Sequence, residues 1–252
     1  MKKLLLLASL LATAGLAQAG DFTMSTGVDY SSGKYGQSTS TDITAAPVVG
    51  KYTSGPLTLK ASMAYLTIKG PANVIGTGDG VTVDPSATPG ASRTVSGWGD
   101  LVVSSSYSVI EKDGWLVDVT GKAKIATADT AKGLSTGKND YSALVDVYKT
   151  MGKTTVFGGT GYKWVGQPTG TNYRDVWQAT AGVSQKISQT LTLGTSYDYA
   201  QSIVPGKQAR EEVTLFAVSK LNKDLKLQVY GVAGLNDNSA KWGGGALLSY
   251  SY

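Results

Sequence analysis

The stretch Trp115-Leu116-Val117-Asp118-Val119-Thr120-Gly121-Lys122-Ala123-Lys124-Ile125 decides the fold class. Apolar and small residues occupy every second position, and mostly polar or charged residues stand between them. Because successive side chains of a β-strand point to opposite faces, this alternation predicts a strand with one apolar and one polar face. The pattern recurs along the chain after Gly20, and no helical i, i+3, i+4 pattern of comparable strength accompanies it. The sequence therefore predicts an all-β protein.

The predicted strands are joined by connections that alternate in length. Short turns alternate with longer loops rich in Gly, Ser, Thr and Asp, the longest at 70–94. Outer-membrane β-barrels combine an even strand number with short turns at one end and long loops at the other. The pattern favours a closed antiparallel transmembrane β-barrel of about twelve strands with up-and-down topology. The twelve runs lie near 21–31, 39–53, 57–69, 95–110, 114–127, 140–150, 154–165, 174–187, 190–201, 210–220, 225–236 and 242–252.

Pro47 interrupts the second of these runs. Proline within a strand favours an edge, a strand end or a bulge, because it cannot donate to the ladder. We therefore expect an irregularity at this position.

The first nineteen residues have the three parts of a secretory signal peptide. Lys2 and Lys3 supply a positive start, an apolar run follows over 4–16, and 17–19 form an Ala-x-Ala cleavage site. The run is shorter than the ~20 residues that a membrane-spanning helix needs. We expect residues 1–19 to be removed on export and residues 20–252 to form a barrel in the bacterial outer membrane.

Composition excludes several classes of function. The 252 residues include 32 Gly and 14 Tyr, only 16% are charged, and Cys and His are absent. Imidazole and thiolate sites are therefore excluded, and with them the usual bases of barrel-wall enzymes. The segment 133–138 has a spacing unlike a P-loop and no helix follows it, and Asp79 and Asp84 lack the ligand series of a calcium loop. We expect no enzyme, cofactor or metal site, and the scattered lysines predict no nucleic-acid partner.

Charged residues on the polar faces are candidates for lining a pore. On the lipid side a Lys at the bilayer midplane would cost about 2–4 kcal/mol, which favours placing them inside. They would form either a charged constriction that selects solutes or a set of inter-strand ion pairs that fills a narrow barrel. In either case Lys122 or Lys124 would pair with Asp118 or Asp146. The candidates are Lys60, Asp118, Lys122, Lys124, Asp146, Lys163 and Asp198. For Asp100, between Gly99 and Leu101, a structural hydrogen-bonding role is favoured over a lumen charge.

Aromatic residues near the predicted strand ends are typical of a membrane-interface girdle. They are Trp115, Tyr162, Trp164, Tyr197, Tyr199, Trp242, Tyr250 and Tyr252. The chain ends on an aromatic residue in an alternating strand, a pattern that barrel proteins present to their assembly machinery. Partners expected from this architecture are the lipid bilayer, lipopolysaccharide, the assembly machinery and a small solute. Arg93, Arg174 and Arg210 are candidates either for contacting lipopolysaccharide phosphates or for ordinary solvation of the loops.

Three segments over 95–165 contain motifs of a known kind: Ser96-Gly97-Trp98-Gly99-Asp100-Leu101, then 122–129 (KAKIATAD) continuing into 132–141 (KGLSTGKNDY), and Gly159-Thr160-Gly161-Tyr162. These segments resemble a family of bacterial outer-membrane β-barrel transporters related to the barrel protein of the phenol meta-degradation pathway. Ala126 and Ser135 depart from the Pro and Gly that are usual in that family. The resemblance implies an outer-membrane barrel with a channel role, and it implies no substrate.

The sequence thus favours a passive channel for small solutes, aromatic or amphipathic ones among them. The alternative that stays open is a non-conducting structural or surface-interaction barrel that acts through its extracellular loops, mainly 70–94.

Overall fold

All twelve predicted runs form strands in a computed structural model that describes residues 20–76, 80–85 and 92–252. The predicted signal segment and Asp79 lie outside these residues. The strands are β1 Asp21–Gly33, β2 Thr41–Ser54, β3 Leu57–Pro71, β4 Val74–Gly76, β5 Val81–Val83, β6 Ser92–Trp98, β7 Leu101–Lys112, β8 Trp115–Ile125, β9 Asp140–Met151, β10 Thr154–Trp164, β11 Val176–Lys186, β12 Leu191–Ala200, β13 Arg210–Lys220, β14 Leu225–Gly234 and β15 Trp242–Ser251.

Two features of the strand order differ from the predicted runs. The predicted run 95–110 is divided into β6 and β7 by Gly99 and Asp100, and β3 pairs with both pieces. The segment 70–94, expected to be a loop, contains the short hairpin of β4 and β5. Asp100 lies at the break between β6 and β7, where the Gly99 N–H still donates to the carbonyl of Ala64 on β3 at 2.8 Å.

The sheet closes on itself. Each strand of the wall is antiparallel to its neighbours, β2 pairs with β3, and β1 pairs with β15 from Thr23↔Ser251 to Ser32↔Trp242. Because β6 and β7 share one place in the wall, the barrel has twelve strand positions, and the β4–β5 hairpin lies apart from it. Closure satisfies the backbone groups that would otherwise line a free edge. The predicted closed, antiparallel, twelve-stranded architecture is confirmed.

The two faces of the wall differ as the alternation predicts. On β8, Trp115 and Val119 are 46% and 44% exposed, whereas Lys124 on the other face is 1% exposed. The exposed large apolar side chains of the strands share the outward face, and the charged candidates share the inward one. The wall is therefore apolar outside and polar inside, which is the reverse of a water-soluble domain.

Pro47 does not mark an edge or a strand end, as a closed barrel has no edge. Pro47 lies within the continuous strand β2. In the β1–β2 ladder, Gly27 and Val28 would face Pro47 and Ala46, but neither pair forms. The carbonyl of Pro47 accepts a hydrogen bond from Thr26 Oγ1 at 3.0 Å instead. The missing N–H of proline is thus accommodated by a local gap in one ladder.

One end of the barrel has short turns and the other has long loops. At the short-turn end, Asp113 and Gly114 both have positive φ, of 53° and 75°, as a two-residue hairpin turn requires. At the long-loop end, segments such as 126–139, 165–175 and 201–209 connect the strands. Within the described part of the chain, no helix is both long and apolar enough to cross a membrane.

Candidate functional site: the barrel interior

All seven charged candidates lie on the inward face of the wall. Asp118 accepts a hydrogen bond from Ser108 Oγ at 2.7 Å, and Asp198 accepts one from Ser196 Oγ at 2.9 Å. Asp146 lies directly opposite Asp118 on the neighbouring strand. The remaining candidates are Lys60, Lys122, Lys124 and Lys163.

The ion pairs of Lys124 differ from those expected. Lys124 pairs with Asp100 and Asp140, both at 3.3 Å, and with neither Asp118 nor Asp146. Lys163 also reaches Asp140, at 3.1 Å, so four side chains form one chain of alternating charge. The expected partner Asp118 was wrong for Lys124 because the two residues are six positions apart on one strand, about 20 Å at strand spacing. Asp140 lies directly opposite Lys124 on β9.

Asp100 holds the loop 126–139 against the inside of the wall. Its Oδ1 accepts hydrogen bonds from the backbone N–H groups of Thr127 and Ala128, both at 3.0 Å. Its Oδ2 accepts one from Ser135 Oγ at 2.8 Å in addition to Lys124 Nζ. Lys124 donates further to the carbonyl of Lys138 at 3.1 Å. The motif aspartate that the sequence suggested as structural is therefore structural, and it works together with a buried lysine.

An apolar cluster completes the attachment of this loop. Leu134, at the tip of 126–139, is 0% exposed and packs among side chains from the wall and from other loops. Gly133 and Gly137 have φ of 69° and 73°, which lets the loop turn back on both sides of Leu134. This loop therefore folds inward and closes part of the long-loop end. The partners in the cluster are Tyr35, Ile43, Leu66, Ile68 and Ala240.

A second apolar cluster joins the loops 165–175 and 201–209. It contains Val165, Tyr173, Val176 and Val204. The Tyr173 hydroxyl donates to the carbonyl of Val83 at 3.2 Å and so connects the β4–β5 hairpin to this cluster. Burial, and secondarily the negative charge of Asp84, raises the pKa of Tyr173 to about 12. The neutral phenol is therefore favoured, as a buried donor requires.

A cavity of about 360 Å³ lies between these loops and the wall. Its lining combines apolar side chains of both clusters with charged ones, including Asp140, Lys163, Arg210 and Glu212. Arg210 pairs with Glu212 at 2.9 Å. The long-loop end thus contains a cavity lined by charged groups of both signs.

Sequence reasoning missed the aromatic side chains of the interior. Phe157 packs where a side chain on Gly182 would stand, and Phe216 does the same over Gly194. Tyr148 lies 6.1 Å from Phe157, ring centre to ring centre. The signal available was a Phe opposite a Gly on the neighbouring strand, a pairing that only the register reveals.

The eight aromatics predicted as a girdle all point outward. Tyr162 packs against Trp164 and Trp177, with ring centres 5.2 and 5.0 Å apart. Those near the long-loop end are Tyr162, Trp164, Tyr197, Tyr199 and Trp242, and those near the short-turn end are Trp115, Tyr250 and Tyr252. Trp177, which the prediction omitted, belongs with the first group.

The structure corrects the arginine prediction. Arg93 points inward and donates to the carbonyls of Ala72 and Lys132, and Arg210 also points inward. Arg174 donates through Nε to the carbonyl of Ser202 at 2.8 Å. Arg93 and Arg174 hold loops through these carbonyls and Arg210 lines the interior cavity, so Arg93 and Arg210 are not placed to reach lipopolysaccharide on the outer surface. Among the described residues, no group of three or more acidic side chains is placed to hold a metal ion.

Solved structures share this fold at low sequence identity. An outer-membrane channel from Pseudomonas putida F1 aligns with a TM-score of 0.68 at 11% identity, over 93% of this chain and 96% of that chain. The NanC porin aligns with a TM-score of 0.58 at 11% identity, over 90% of this chain and 98% of that chain. The KdgM porin in complex with disordered oligogalacturonate aligns with a TM-score of 0.55 at 8% identity, over 91% of this chain and 98% of that chain. At such identities the likeness concerns the fold.

No protein-family model and no curated protein matches the sequence. The resemblance to the transporter family related to phenol meta-degradation therefore stays a prediction. What is shown is a closed twelve-stranded barrel of the kind that outer-membrane channels have.

Proposed function

We propose that this chain is a bacterial outer-membrane channel that lets small solutes pass passively through its interior. The observation that carries the proposal is the closed wall with an apolar exterior and charged side chains inside. An apolar exterior is stable only against lipid, and inward charges are stable only where water or ion pairs compensate them. A hydrated interior that crosses a membrane is a path for solutes.

The similar structures support this assignment. One is called an outer-membrane channel and two are called porins, one of which was crystallised with an oligogalacturonate. The inward rings of Tyr148, Phe157 and Phe216 add an apolar surface beside the charged residues. We include aromatic and amphipathic molecules among the solutes for that reason. We assign no catalytic role, no cofactor and no nucleic-acid partner.

Further parts of the proposal follow from membrane location. Residues 1–19 act as the export signal. The outward aromatics, grouped near both ends of the barrel, lie at the two membrane interfaces, where amphipathic rings are favoured. The last strand, which ends at Tyr250-Ser251-Tyr252, is recognised by the assembly machinery. Lipopolysaccharide covers the outer leaflet around the barrel.

The test is reconstitution of the purified protein in planar bilayers. We expect discrete conductance steps, and uptake of small sugars into proteoliposomes at a rate that falls with sugar size. A folded, heat-modifiable barrel that gives neither conductance nor uptake would rule out the channel.

A second candidate is a non-conducting barrel that acts through its loops. The inward-folded loop 126–139 and its apolar cluster favour it, because they block part of the lumen at one end. Deleting 72–91 would then abolish binding of a surface partner and leave permeability unchanged. A deletion that changes permeability alone would reject this candidate.

A further inference from the structure

The strand register arranges several of the inward charges in two rows of opposite sign, while Asp140, which pairs with Lys163, and Arg210, which pairs with Glu212, lie outside these rows. The first row crosses six neighbouring strands through direct pairs, Lys51↔Lys60↔Ser104↔Lys122↔Ser142↔Lys163. Every member is a lysine or a serine, and Lys60 lies within electrostatic range of both Lys51 and Lys122. We call this the basic row.

The second row is acidic. It runs Asp118↔Asp146↔Gly159↔Thr180↔Asp198↔Glu212 from β8 to β13. Four of its six members are carboxylates, and Asp118 and Asp146 interact as neighbouring like charges. We call this the acidic row.

Both rows climb from the short-turn end toward the long-loop end. In the basic row, Lys60 lies three residues from the start of β3 and Lys163 lies nine residues from the start of β10. In the acidic row, Asp118 lies three residues from the start of β8 and Asp198 seven from the start of β12. Strand tilt in a barrel turns a row of paired residues into a spiral along the wall.

The rows border a groove with a neutral floor. On β8, Asp118 and Lys122 are four residues apart, about 13 Å along the strand. Between the rows lie Thr120, Leu144 and Gly161, which pair with one another across β8, β9 and β10. Gly161 has Leu144 and Gln178 against the space that a side chain would take. The floor is therefore uncharged and shallow.

We infer that this groove guides zwitterionic solutes, with the anionic group toward the basic row and the cationic group toward the acidic row. The inference deepens the proposed channel function and rests on it. A solute with both charges interacts favourably with both rows, whereas a solute with one charge is attracted by one row and repelled by the other. An uncharged solute gains from neither. Segregated charges in a narrow, partly dehydrated passage act more strongly than in bulk water.

Four peptides of nearly equal size test the inference in proteoliposomes. They are triglycine, which is zwitterionic, N-acetyltriglycine, which is anionic, triglycine amide, which is cationic, and N-acetyltriglycine amide, which is neutral. We expect triglycine to enter about fivefold faster than the neutral peptide, the ratio that corresponds to one exposed ion pair of about 1 kcal/mol. Equal rates for all four would overturn the inference while leaving the channel intact. No uptake of any of them, together with no conductance, would reject the channel itself.

Neutralising one residue of each row shows which row recognises which charged group of the peptide. Lys122→Met should slow triglycine and N-acetyltriglycine, and it should speed triglycine amide because a repulsion is removed. Asp146→Asn should slow triglycine and triglycine amide, and it should speed N-acetyltriglycine because a repulsion is removed. Lys153→Met, in an exposed turn at the short-turn end, is the matched control and should change none of the rates. If both row variants alter all four peptides alike, the rows do not recognise charge and the inference fails.

Discussion

Lys124→Met tests whether a buried ion pair fastens the loop 126–139 inside the barrel. The side chains of Lys124 and Asp100 are both 0% exposed, and Asp140 is 6% exposed. Removing one member of such a group leaves an uncompensated buried charge, which typically costs about 3–5 kcal/mol. Asp100 keeps the hydrogen bonds from Thr127, Ala128 and Ser135, so we expect the lower end, about 3 kcal/mol.

The assay is unfolding by guanidinium chloride in detergent micelles, followed by tryptophan fluorescence. Lys60→Met is the matched control, because Lys60 is exposed to the lumen; a change within about 0.5 kcal/mol is expected there. Adding Asp100→Asn to Lys124→Met should restore part of the loss, since the stranded charge is removed too. A loss of less than about 1 kcal/mol for Lys124→Met would refute the reasoning, because it would mean that water already compensates Asp100.

Three other substitutions probe packing and ionisation. Leu134→Ala should lower the free energy of unfolding by about 2–5 kcal/mol and raise single-channel conductance, because the loop loses its buried anchor. Gly182→Ala should destabilise by about 1–3 kcal/mol in the same denaturation assay, since its Cβ would meet the Phe157 ring and a backbone oxygen, whereas Gly121→Ala, with open space, should change stability little. The raised pKa of Tyr173 contributes stability that is complete below pH about 10 and lost as the pH rises through about 12. Thermal unfolding of Tyr173→Phe across this range should lack that pH dependence.

The fold could be predicted from the sequence because its signal is local. The alternation in 115–125 assigns each side chain to a face with no knowledge of neighbouring strands, and turn residues such as Asp113 and Gly114 mark where the chain reverses. The β4–β5 hairpin was missed because its strands have three residues each, too few to show a period.

The site could be predicted only in part. Alternation places Lys122 and Asp118 on the inward face, but it does not say which residue of another strand lies opposite. The partner of Lys124 depends on register and on the path of the loop 126–139, and neither is encoded within β8. The packing of Phe157 over Gly182 likewise depends on the register between β10 and β11, which neither strand encodes alone.

The sequence by itself determined that the chain forms strands with an apolar and a polar face, because the two-residue period of a strand is a local property. Only the tertiary structure decided how the inward charges combine. Closure and register align Lys60, Lys122 and Lys163 in one row and Asp118, Asp146 and Asp198 in another. Cross-strand pairing joins residues far apart in the chain, so a list of scattered charges becomes two ordered rows only when the wall closes.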